Sequence, residues 1–355
     1  MKAIEEEKNR KILVFHIGTI GDILLTLPIF AAIRRHYPLG HITLLSVGRE
    51  GEKYIEDLLP KTGYFDAFEN ISSFDPKHLA AIPAAIWKLR RQRFSCAYYL
   101  LRDEPESPRR LWRDSLFFRL LGITKIYGNR FITDFTDKKA LLPNVTENYF
   151  RRLLQTGGLK SDADHSFSLN FSESEMERIR LFFREMNCAG KMPVAVGIGG
   201  KKQCCRWPVA KYEELLRRMC LDGRTFPILF GGPADWADCR RLLDQLPAGS
   251  CGHCINRDLS LRETILALAG CSFYCGNDTG TIHMAAAAGL CCIGLYSSAV
   301  YAGMWYPQGE RNIIIRKDFP CSVCLRPECD SDPARCIDAI SVDEVWFAVR
   351  NIIEN

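Results

Sequence analysis

Three glycine-containing loops in the sequence carry residues that could bind or transfer charged groups. The first is GTIGD, in which Gly18 and Gly21 flank a tight turn before a helix-like segment. Glycine at such a turn lets the backbone approach a ligand and present its N–H groups. Asp22 closes the loop at the helix start, where its charge would repel a phosphate. The position indicates either a role other than phosphate binding or a carboxylate that complements the helix dipole.

The second loop is GIGGKKQCCRWP, at residues 197–208. It follows a strand-like run and precedes a helix-like one. Its glycines, including Gly199, and its cations, Lys201 and Lys202, are typical of a site for an anionic phosphate. The alternative is a basic surface loop in which Trp207 anchors the core; we favour the phosphate site.

The third loop is GNDTGTIHMAAAAG, at residues 276–289. Asp278 follows a strand-like run, at the place where open α/β sheets bind ligands. Thr279 and Gly280 begin a helix whose N-terminus can hold a phosphate. His283 either contacts a ligand or makes a hydrogen bond within the core, and for a single histidine the core bond is commoner.

Four cysteines follow in a proline-containing stretch with the spacing C-x2-C-x4-C-x6-C: Cys321, Cys324, Cys329 and Cys336. Four thiolates at this spacing can hold a zinc or iron ion tetrahedrally in a reducing compartment. The alternative is a set of free thiols, and the sequence favours it slightly. A structural zinc or iron at these cysteines therefore stays open, and no cofactor is expected for catalysis.

The hydrophobic pattern predicts the elements that position these loops. Apolar strands at residues 11–17 and 41–47 enclose the first loop and a helix, which is the start of a parallel sheet. Proline 28 is expected to kink or restart that helix. Strand–helix alternation begins again after a polar stretch at 161–170. We therefore predict an α/β protein of two doubly wound domains, residues 1–172 and 173–355, with a cleft between them.

Composition and charge exclude several classes of protein. The chain has 355 residues and a formal net charge of +5, which does not argue for nucleic acid. Arginines cluster at 90–93, 109–113 and 151–152. For any one cluster a solvated helix face is the better interpretation, whereas together they suit a phosphorylated or anionic acceptor at a membrane surface. The charged N-terminus is not that of a signal peptide, and no apolar run is long enough to span a bilayer. The sequence predicts a cytoplasmic protein.

The order and spacing of GTIGD, RWP and NDTGTIHMAAAAG resemble those of glycosyltransferase family 9, the heptosyltransferases. The resemblance runs from residue 11 to the C-terminus and is weak between 51 and 144. It implies the GT-B fold, in which two Rossmann-like domains face a central cleft. In that fold the N-terminal domain mainly binds the acceptor and the C-terminal domain mainly binds the nucleotide sugar.

The resemblance also assigns roles to residues. It makes Asp22 the catalytic base and places Gly18, Thr19 and Gly21 at the acceptor. The donor-binding set that it implies is Gly199, Lys201, Lys202, Arg206, Asp235, Asp278, Thr279, Gly280 and His283. Asp235 stands where the family binds the nucleotide ribose. One position departs from the family, since Cys205 replaces the usual lysine that neutralises the donor phosphate; Lys201, Lys202 or Arg206 would then take over that charge.

The activity implied is inverting transfer of a heptose from ADP-heptose to the lipopolysaccharide inner core. The partners are an ADP-sugar and a lipopolysaccharide core or lipid A-Kdo acceptor on the cytoplasmic face of the inner membrane. Two alternatives stay open: another sugar donor or a protein acceptor, and a non-catalytic nucleotide-sugar-binding relative. A dinucleotide oxidoreductase is disfavoured because no Gly-x-Gly-x-x-Gly follows a strand.

Overall fold

The chain forms two compact units, each built around its own parallel sheet. The computed structural model describes residues 10–47, 49–71, 81–104, 107–160, 164–188, 190–255, 258–326, 328–331 and 335–354. The first unit contains residues 1–137 and 143–170, and the second contains 138–142 and 171–355.

The strands are β1 (Lys11–His16), β2 (His41–Val47), β3 (Ala67–Ile71), β4 (Cys96–Leu100), β5 (Ile126–Tyr127), β6 (Met192–Gly197), β7 (Thr225–Phe230), β8 (Gly252–His253), β9 (Phe273–Asn277), β10 (Cys291–Tyr296) and β11 (Ile313–Arg316). The helices are α1 (Ile20–His36), α2 (Arg49–Leu58), α3 (Ala81–Arg91), α4 (Ser107–Leu120), α5 (Val145–Gln155), α6 (Glu173–Met186), α7 (Val209–Asp222), α8 (Trp236–Asp244), α9 (Leu261–Ala269), α10 (Gly280–Ala287), α11 (Arg335–Asp338) and α12 (Val342–Glu354).

Both sheets have the strand order of doubly wound folds. The first has the order β3-β2-β1-β4-β5 and the second β11-β10-β9-β6-β7-β8, with parallel pairing in each. The order reverses between β1 and β4 in the first sheet and between β9 and β6 in the second. Ligands of such sheets bind outside the carboxyl ends of the strands at this switch point. The predicted α/β class with two doubly wound sheets is confirmed.

The strands are apolar because helices cover both faces of each sheet. On one face of the first sheet, Leu13 and Phe15 of β1 pack with Leu89 of α3 and Phe118 of α4. In the second unit, a separate cluster around Trp207 joins the central strands to α7 and α12.

Helix α1 runs unbroken through Pro28, so the predicted restart at this residue is wrong. Every residue from Gly21 to Ile33 is buried. A proline inside a helix costs about 3 kcal/mol, whereas each buried Leu, Ile or Phe contributes roughly 1.5–3 kcal/mol. The packing of the helix outweighs the lost hydrogen bond.

The chain passes between the units three times, and the sequence indicated only the last of these passages. That passage, between 170 and 171, lies two residues from the boundary of 172 expected from the pattern. The first two passages enclose the short segment 138–142, which belongs to the second unit. Its Leu142 N–H donates to the carbonyl of Ala302 at 2.9 Å. No helix in the described part of the chain is long and apolar enough to cross a membrane.

Candidate functional site

The predicted site residues lie at the two switch points of the sheets. In the first unit, the turn after β1 carries Asp22 and the turn after β4 carries Arg102. In the second, the loop after β6 carries Gly199 and the turn after β9 carries Asp278. These are the positions at which the topology of a doubly wound sheet opens a crevice for ligands.

Asp22 is fixed at the start of α1 by a capping box. Its Oδ2 accepts hydrogen bonds from the backbone N–H of Thr19 at 2.7 Å and from the Thr19 hydroxyl at 3.0 Å. Gly18 has to be a glycine, since a Cβ there would lie 2.3 Å from the Asp22 Cβ. Gly21 is buried inside the helix start, and Thr19 is exposed. The carboxylate therefore caps its own helix, which was one of the two alternatives.

The other oxygen of Asp22 has a partner that the sequence did not reveal. Arg102 Nη1 lies 3.0 Å from Asp22 Oδ1, and the two residues are 80 positions apart in the chain. Asp22 is only 5% exposed, whereas the Arg102 side chain is 36% exposed. Arg102 is itself held by Glu104, whose Oε1 is 2.6 Å from Arg102 Nε. The signal for this pair was the arginine directly after an apolar strand.

His16, at the end of β1, lies behind the same turn. Its Nε2 is 3.2 Å from the hydroxyl of Thr26, which donates to the backbone carbonyl of Asp22 at 2.6 Å. Burial lowers the pKa of His16 to about 4, although the nearby Asp22 acts in the opposite direction. His16 is therefore neutral at physiological pH, and the charge beside Asp22 is that of Arg102.

In the second unit, the loops after β6 and β7 meet at Asp235. Gly199 leaves space for it, since a Cβ at Gly199 would lie 2.3 Å from Asp235 Oδ2. That oxygen accepts from the backbone N–H of Gly232 at 2.8 Å, and Oδ1 is 2.9 Å from Arg206 Nη2. Arg206 also contacts Asp238 at 3.1 Å. Asp235 and Arg206 therefore neutralise each other at this edge.

Asn277, which the sequence analysis did not identify, connects the loops at the carboxyl edge of the second sheet by hydrogen bonds. Its Nδ2 donates to the carbonyl of Gly199 at 3.0 Å, and its Oδ1 accepts from the backbone N–H of Trp207 at 3.1 Å. Trp207 is 1% exposed, and its Nε1 donates to the carbonyl of Ile340 at 2.9 Å. The third motif thus holds the second one in place through a buried amide.

Asp278 and the first turn of α10 complete the edge. The Asp278 carboxylate is 13% exposed and lies 4.0 Å from Nε2 of the buried His283. Burial raises the pKa of Asp278 to about 7, against the effect of Lys202. The hydroxyl of Thr279 caps α10 by accepting from the Thr281 N–H at 3.3 Å. Gly280 is half-buried at the helix start.

The loop cations and Cys205 differ in their surroundings. Lys201 and Lys202 are exposed, and Lys202 interacts electrostatically with Asp278. Cys205 is 6% exposed and belongs to the hydrophobic core of the unit. Its Sγ is 3.8 Å from that of Cys204. Lys202 and Arg206 flank the core-facing cysteine, and Lys201 and Lys202 carry positive charge in the loop, whereas the charge of Arg206 is balanced by Asp235.

The structure does not form the tetrahedral metal site that the spacing allowed at Cys321, Cys324, Cys329 and Cys336. All four are among the described residues, and no group of three or more ligating side chains there is arranged to hold a metal ion. The Val323 N–H is bonded to the Ser298 carbonyl at 2.7 Å, and Cys321 and Cys324 on either side are exposed. Cys336 is buried, with Sγ 3.2 Å from Ser297 Oγ.

The structure is that of an α/β protein with two ligand-binding switch points. The first is centred on the carboxylate of Asp22, and the second is formed by glycines, cations and the N-terminus of α10. Comparison with known proteins gives the family. The model of glycosyltransferase family 9 (heptosyltransferase) matches residues 127–335. Lipopolysaccharide heptosyltransferase 1 of Pseudomonas aeruginosa is 31% identical over 350 residues, which cover 91% of this chain and 88% of that protein.

Solved structures show the same fold. A family 9 glycosyl transferase from Veillonella parvula superposes with a TM-score of 0.74 at 15% identity and covers 98% of both chains. The ADP-heptose lipopolysaccharide heptosyltransferase II of Escherichia coli gives 0.68 at 18% identity and covers 97% of this chain and 98% of that one. The chain belongs to glycosyltransferase family 9, and it is a glycosyltransferase with the predicted GT-B fold.

Proposed function

We propose that this enzyme transfers a heptose from ADP-heptose to the lipopolysaccharide inner core. The observation that carries the proposal is Asp22, a carboxylate placed at the switch point of the first sheet and oriented by Thr19 and Arg102. The relative from Pseudomonas aeruginosa, aligned over nearly the whole chain, supports heptose and lipopolysaccharide as substrates.

In the proposed reaction, Asp22 acts as the general base. It takes the proton of an acceptor hydroxyl, whose oxygen then forms a bond to the anomeric carbon of the heptose. The bond from that carbon to the β-phosphate oxygen breaks, and its electron pair leaves with ADP. Attack from the face opposite to the leaving group inverts the anomeric configuration. Gly18, Thr19 and Gly21 shape the turn on which the acceptor hydroxyl rests.

The donor binds, in this proposal, at the carboxyl edge of the second sheet. The diphosphate contacts the N-terminus of α10 at Thr279 and Gly280, where backbone N–H groups stabilise the charge of the leaving ADP. Lys201, Lys202 and Arg206 add positive charge from the loop after β6. Asp235 accepts from the ribose hydroxyls once Arg206 turns toward phosphate.

Asp278 and His283 complete the donor side of the proposal. A carboxyl with a pKa near 7 can donate a hydrogen bond to a heptose or phosphate oxygen when protonated. His283 Nε2 lies 4.0 Å from this carboxyl, on the same side of the donor site.

The acceptor lies at a membrane surface in this proposal, on the cytoplasmic face of the inner membrane. A lipopolysaccharide precursor carries acyl chains and anionic groups, so the enzyme meets it at a lipid surface. The clustered arginines of the first unit suit that setting.

The test is a transfer assay with purified enzyme, a heptose-free lipopolysaccharide acceptor and a panel of ADP- and UDP-sugars. Release of ADP together with an acceptor heavier by one heptose is expected from ADP-heptose alone. Comparable turnover of a UDP-sugar would show a different donor. Binding of ADP-heptose without transfer to any acceptor would identify a non-catalytic relative.

A further inference from the structure

Helix α4 of the first unit exposes a face that mixes arginine with large apolar side chains. We define the arginine–tryptophan face as Arg109, Trp112, Arg113, Leu116, Arg119 and Leu120, all of which are exposed. At 100° per residue these six positions fall within an arc of about 120° and extend for roughly 16 Å. Trp112 is 74% exposed, and Leu116 and Leu120 are each 47% exposed.

The opposite side of α4 is the side that packs against the core of the first unit. Phe117 and Phe118 are buried in the core with Phe15 and Tyr99. The only acidic residue of the helix, Asp114, is also buried, and accepts a hydrogen bond from the Tyr99 hydroxyl at 2.8 Å. The exposed face therefore carries three cations, a tryptophan, two leucines and no carboxylate.

The C-terminal end of α3 adds further exposed arginine and tryptophan side chains beside this face. Arg90 Nη1 donates to the carbonyl of Leu120 at 2.7 Å, which joins the C-terminal ends of α3 and α4. Near the end of α3, Trp87 is 62% exposed and the guanidinium of Arg91 stacks on its ring at 4.5 Å. The sequence of α3 contains no acidic residue.

We propose that the arginine–tryptophan face docks the enzyme on an anionic lipid bilayer. Indole rings are favoured at the interface between headgroups and acyl chains, and guanidinium groups pair with lipid phosphates. Leucine at the same depth reaches the acyl boundary, as in interfacial amphipathic helices. A second copy of this chain is a poor occupant, because a two-fold contact would bring the same arginines together.

The connection between this face and the Asp22 turn supports a lipid bilayer as the partner of the face. Helix α4 starts at the carboxyl end of β4, and Arg110 in its first turn donates to the carbonyl of Arg102 at 2.6 Å. Arg102 in turn contacts Asp22 at 3.0 Å. Docking through α4 would therefore hold at the membrane a helix whose first turn is connected to the Asp22 turn through Arg110 and Arg102. Only the identity of the acceptor rests on the proposed function; the docking itself does not.

The test is co-sedimentation of the full chain with vesicles of phosphatidylcholine alone or with phosphatidylglycerol added. One variant is Arg109→Glu/Arg119→Glu, which spares Arg113 because that residue contacts buried Asp114 at 2.7 Å. Its matched control is Arg240→Glu/Arg241→Glu, the same charge change on exposed residues of α8. A second variant, Trp112→Gln/Leu116→Gln, is matched by Leu221→Gln/Phe347→Gln, exposed apolar residues of the second unit.

We expect the unaltered enzyme and both controls to bind the anionic vesicles and not the neutral ones. The arginine variant should bind at least about 25-fold more weakly, because each of the two lost cations contributes about fivefold near an anionic surface and the two added carboxylates are repelled by it. The apolar variant should bind at least about tenfold more weakly. All variants should melt at the temperature of the unaltered enzyme.

Three results would overturn the docking proposal. The first is that the unaltered enzyme does not bind anionic vesicles. The second is that the face variants bind as well as their controls. The third is that the apolar variant only loses self-association, which would make a second copy of this chain the partner. An assay with a deacylated, water-soluble acceptor distinguishes failure of membrane docking from failure of the transfer reaction. The face variants should use it normally while losing turnover on vesicle-borne acceptor, whereas a failed proposed function would abolish transfer to both acceptors in every protein.

Discussion

At the scale of single residues, the proposed catalytic carboxylate is one that already has three hydrogen-bond donors. Thr19 occupies Oδ2 of Asp22 through two bonds, and Arg102 contacts Oδ1. The Arg102 contact is the one an acceptor can displace, because the Arg102 side chain can turn toward an anionic group, whereas Thr19 holds Oδ2 partly through its backbone N–H. Arg102 is therefore a positioning residue for the base.

Removing Arg102 should slow transfer without weakening donor binding. In Arg102→Ala the carboxylate loses its cationic neighbour and one of its three donors, so we expect kcat to fall by roughly tenfold while the KM for ADP-heptose stays unchanged. Arg102→Lys should restore part of the rate. A kcat equal to that of Arg151→Ala, a change in an exposed ion pair, would contradict this role.

Asp278 should reduce the stability of the protein as pH rises. Burial raises its folded-state pKa to about 7, above the ordinary aspartate value of 3.8, so the folded state holds the proton more tightly. Stability is then greatest below pH 4 for this group and is lost between about pH 4 and 7. Asp278→Asn should raise the melting temperature more at pH 8 than at pH 4, by roughly 2–4 °C per kcal/mol recovered. Asp318→Asn, at a carboxylate with 75% exposure, serves as the control. Equal melting shifts at both pH values would show that Asp278 is solvated.

At the scale of elements, the donor edge depends on a short turn that faces the core. Residues Gln203–Cys205 form one turn of 3-10 helix, and Cys205 packs inside the hydrophobic cluster of the second unit. Gln203 is bonded to the backbone of the cysteine tail at Cys329 and Ser331. This turn thus holds Lys202 on one side and Arg206 on the other.

Restoring the family lysine at this turn should destabilise the protein. Cys205→Lys places an ammonium group in a site that is 6% exposed, and burial of an unpaired charge is strongly unfavourable. We expect a lower melting temperature and no gain in ADP affinity, whereas Cys205→Ala should retain most of both. An unchanged melting temperature with tighter ADP binding would show that position 205 faces the donor instead.

Strands and helices with a clear hydrophobic pattern could be predicted from the sequence. The bounds of β2 agree with the prediction and those of β1 differ from it by one residue, because each strand is a continuous apolar run. Strand β3 was not predicted, since it is partly exposed and carries polar residues. Pairing across the sheet could not be predicted either: nothing local to Arg102 shows that β4 lies beside β1.

At the scale of the whole molecule, the second unit incorporates the short segment 138–142 from the midst of the first. The Leu142 carbonyl lies where Gly303 turns with a φ of +88°, and a Cβ on Gly303 would come within 2.0 Å of that oxygen. A segment of this length has no hydrophobic period, so the sequence could not assign it to a unit. Its attachment depends on a glycine that no predicted motif includes.

Gly303→Ala should therefore weaken the attachment of this segment. The alanine has to adopt a left-handed backbone and displace the Leu142 carbonyl, at a cost of about 1–3 kcal/mol. Thermal unfolding should show a lower melting temperature, and proteolysis should cut more readily near residue 140. The matched control is Gly249→Ala, at a φ of +72° with nothing within 4 Å of the added Cβ. If both variants lose the same stability, the strain is that of the backbone alone and the segment is not held by this contact.

The central claim is that Asp22 is the base of a heptosyl transfer whose donor binds to the second unit. The measurement is turnover of ADP-heptose by Asp22→Asn, with the ADP dissociation constant of the same preparation; asparagine keeps the size and the helix cap of the aspartate. We predict a fall in kcat of about 10²–10⁴ with an ADP dissociation constant within about twofold of the unaltered enzyme. Full turnover by Asp22→Asn, or a loss of ADP binding equal to the loss of rate, would contradict the account.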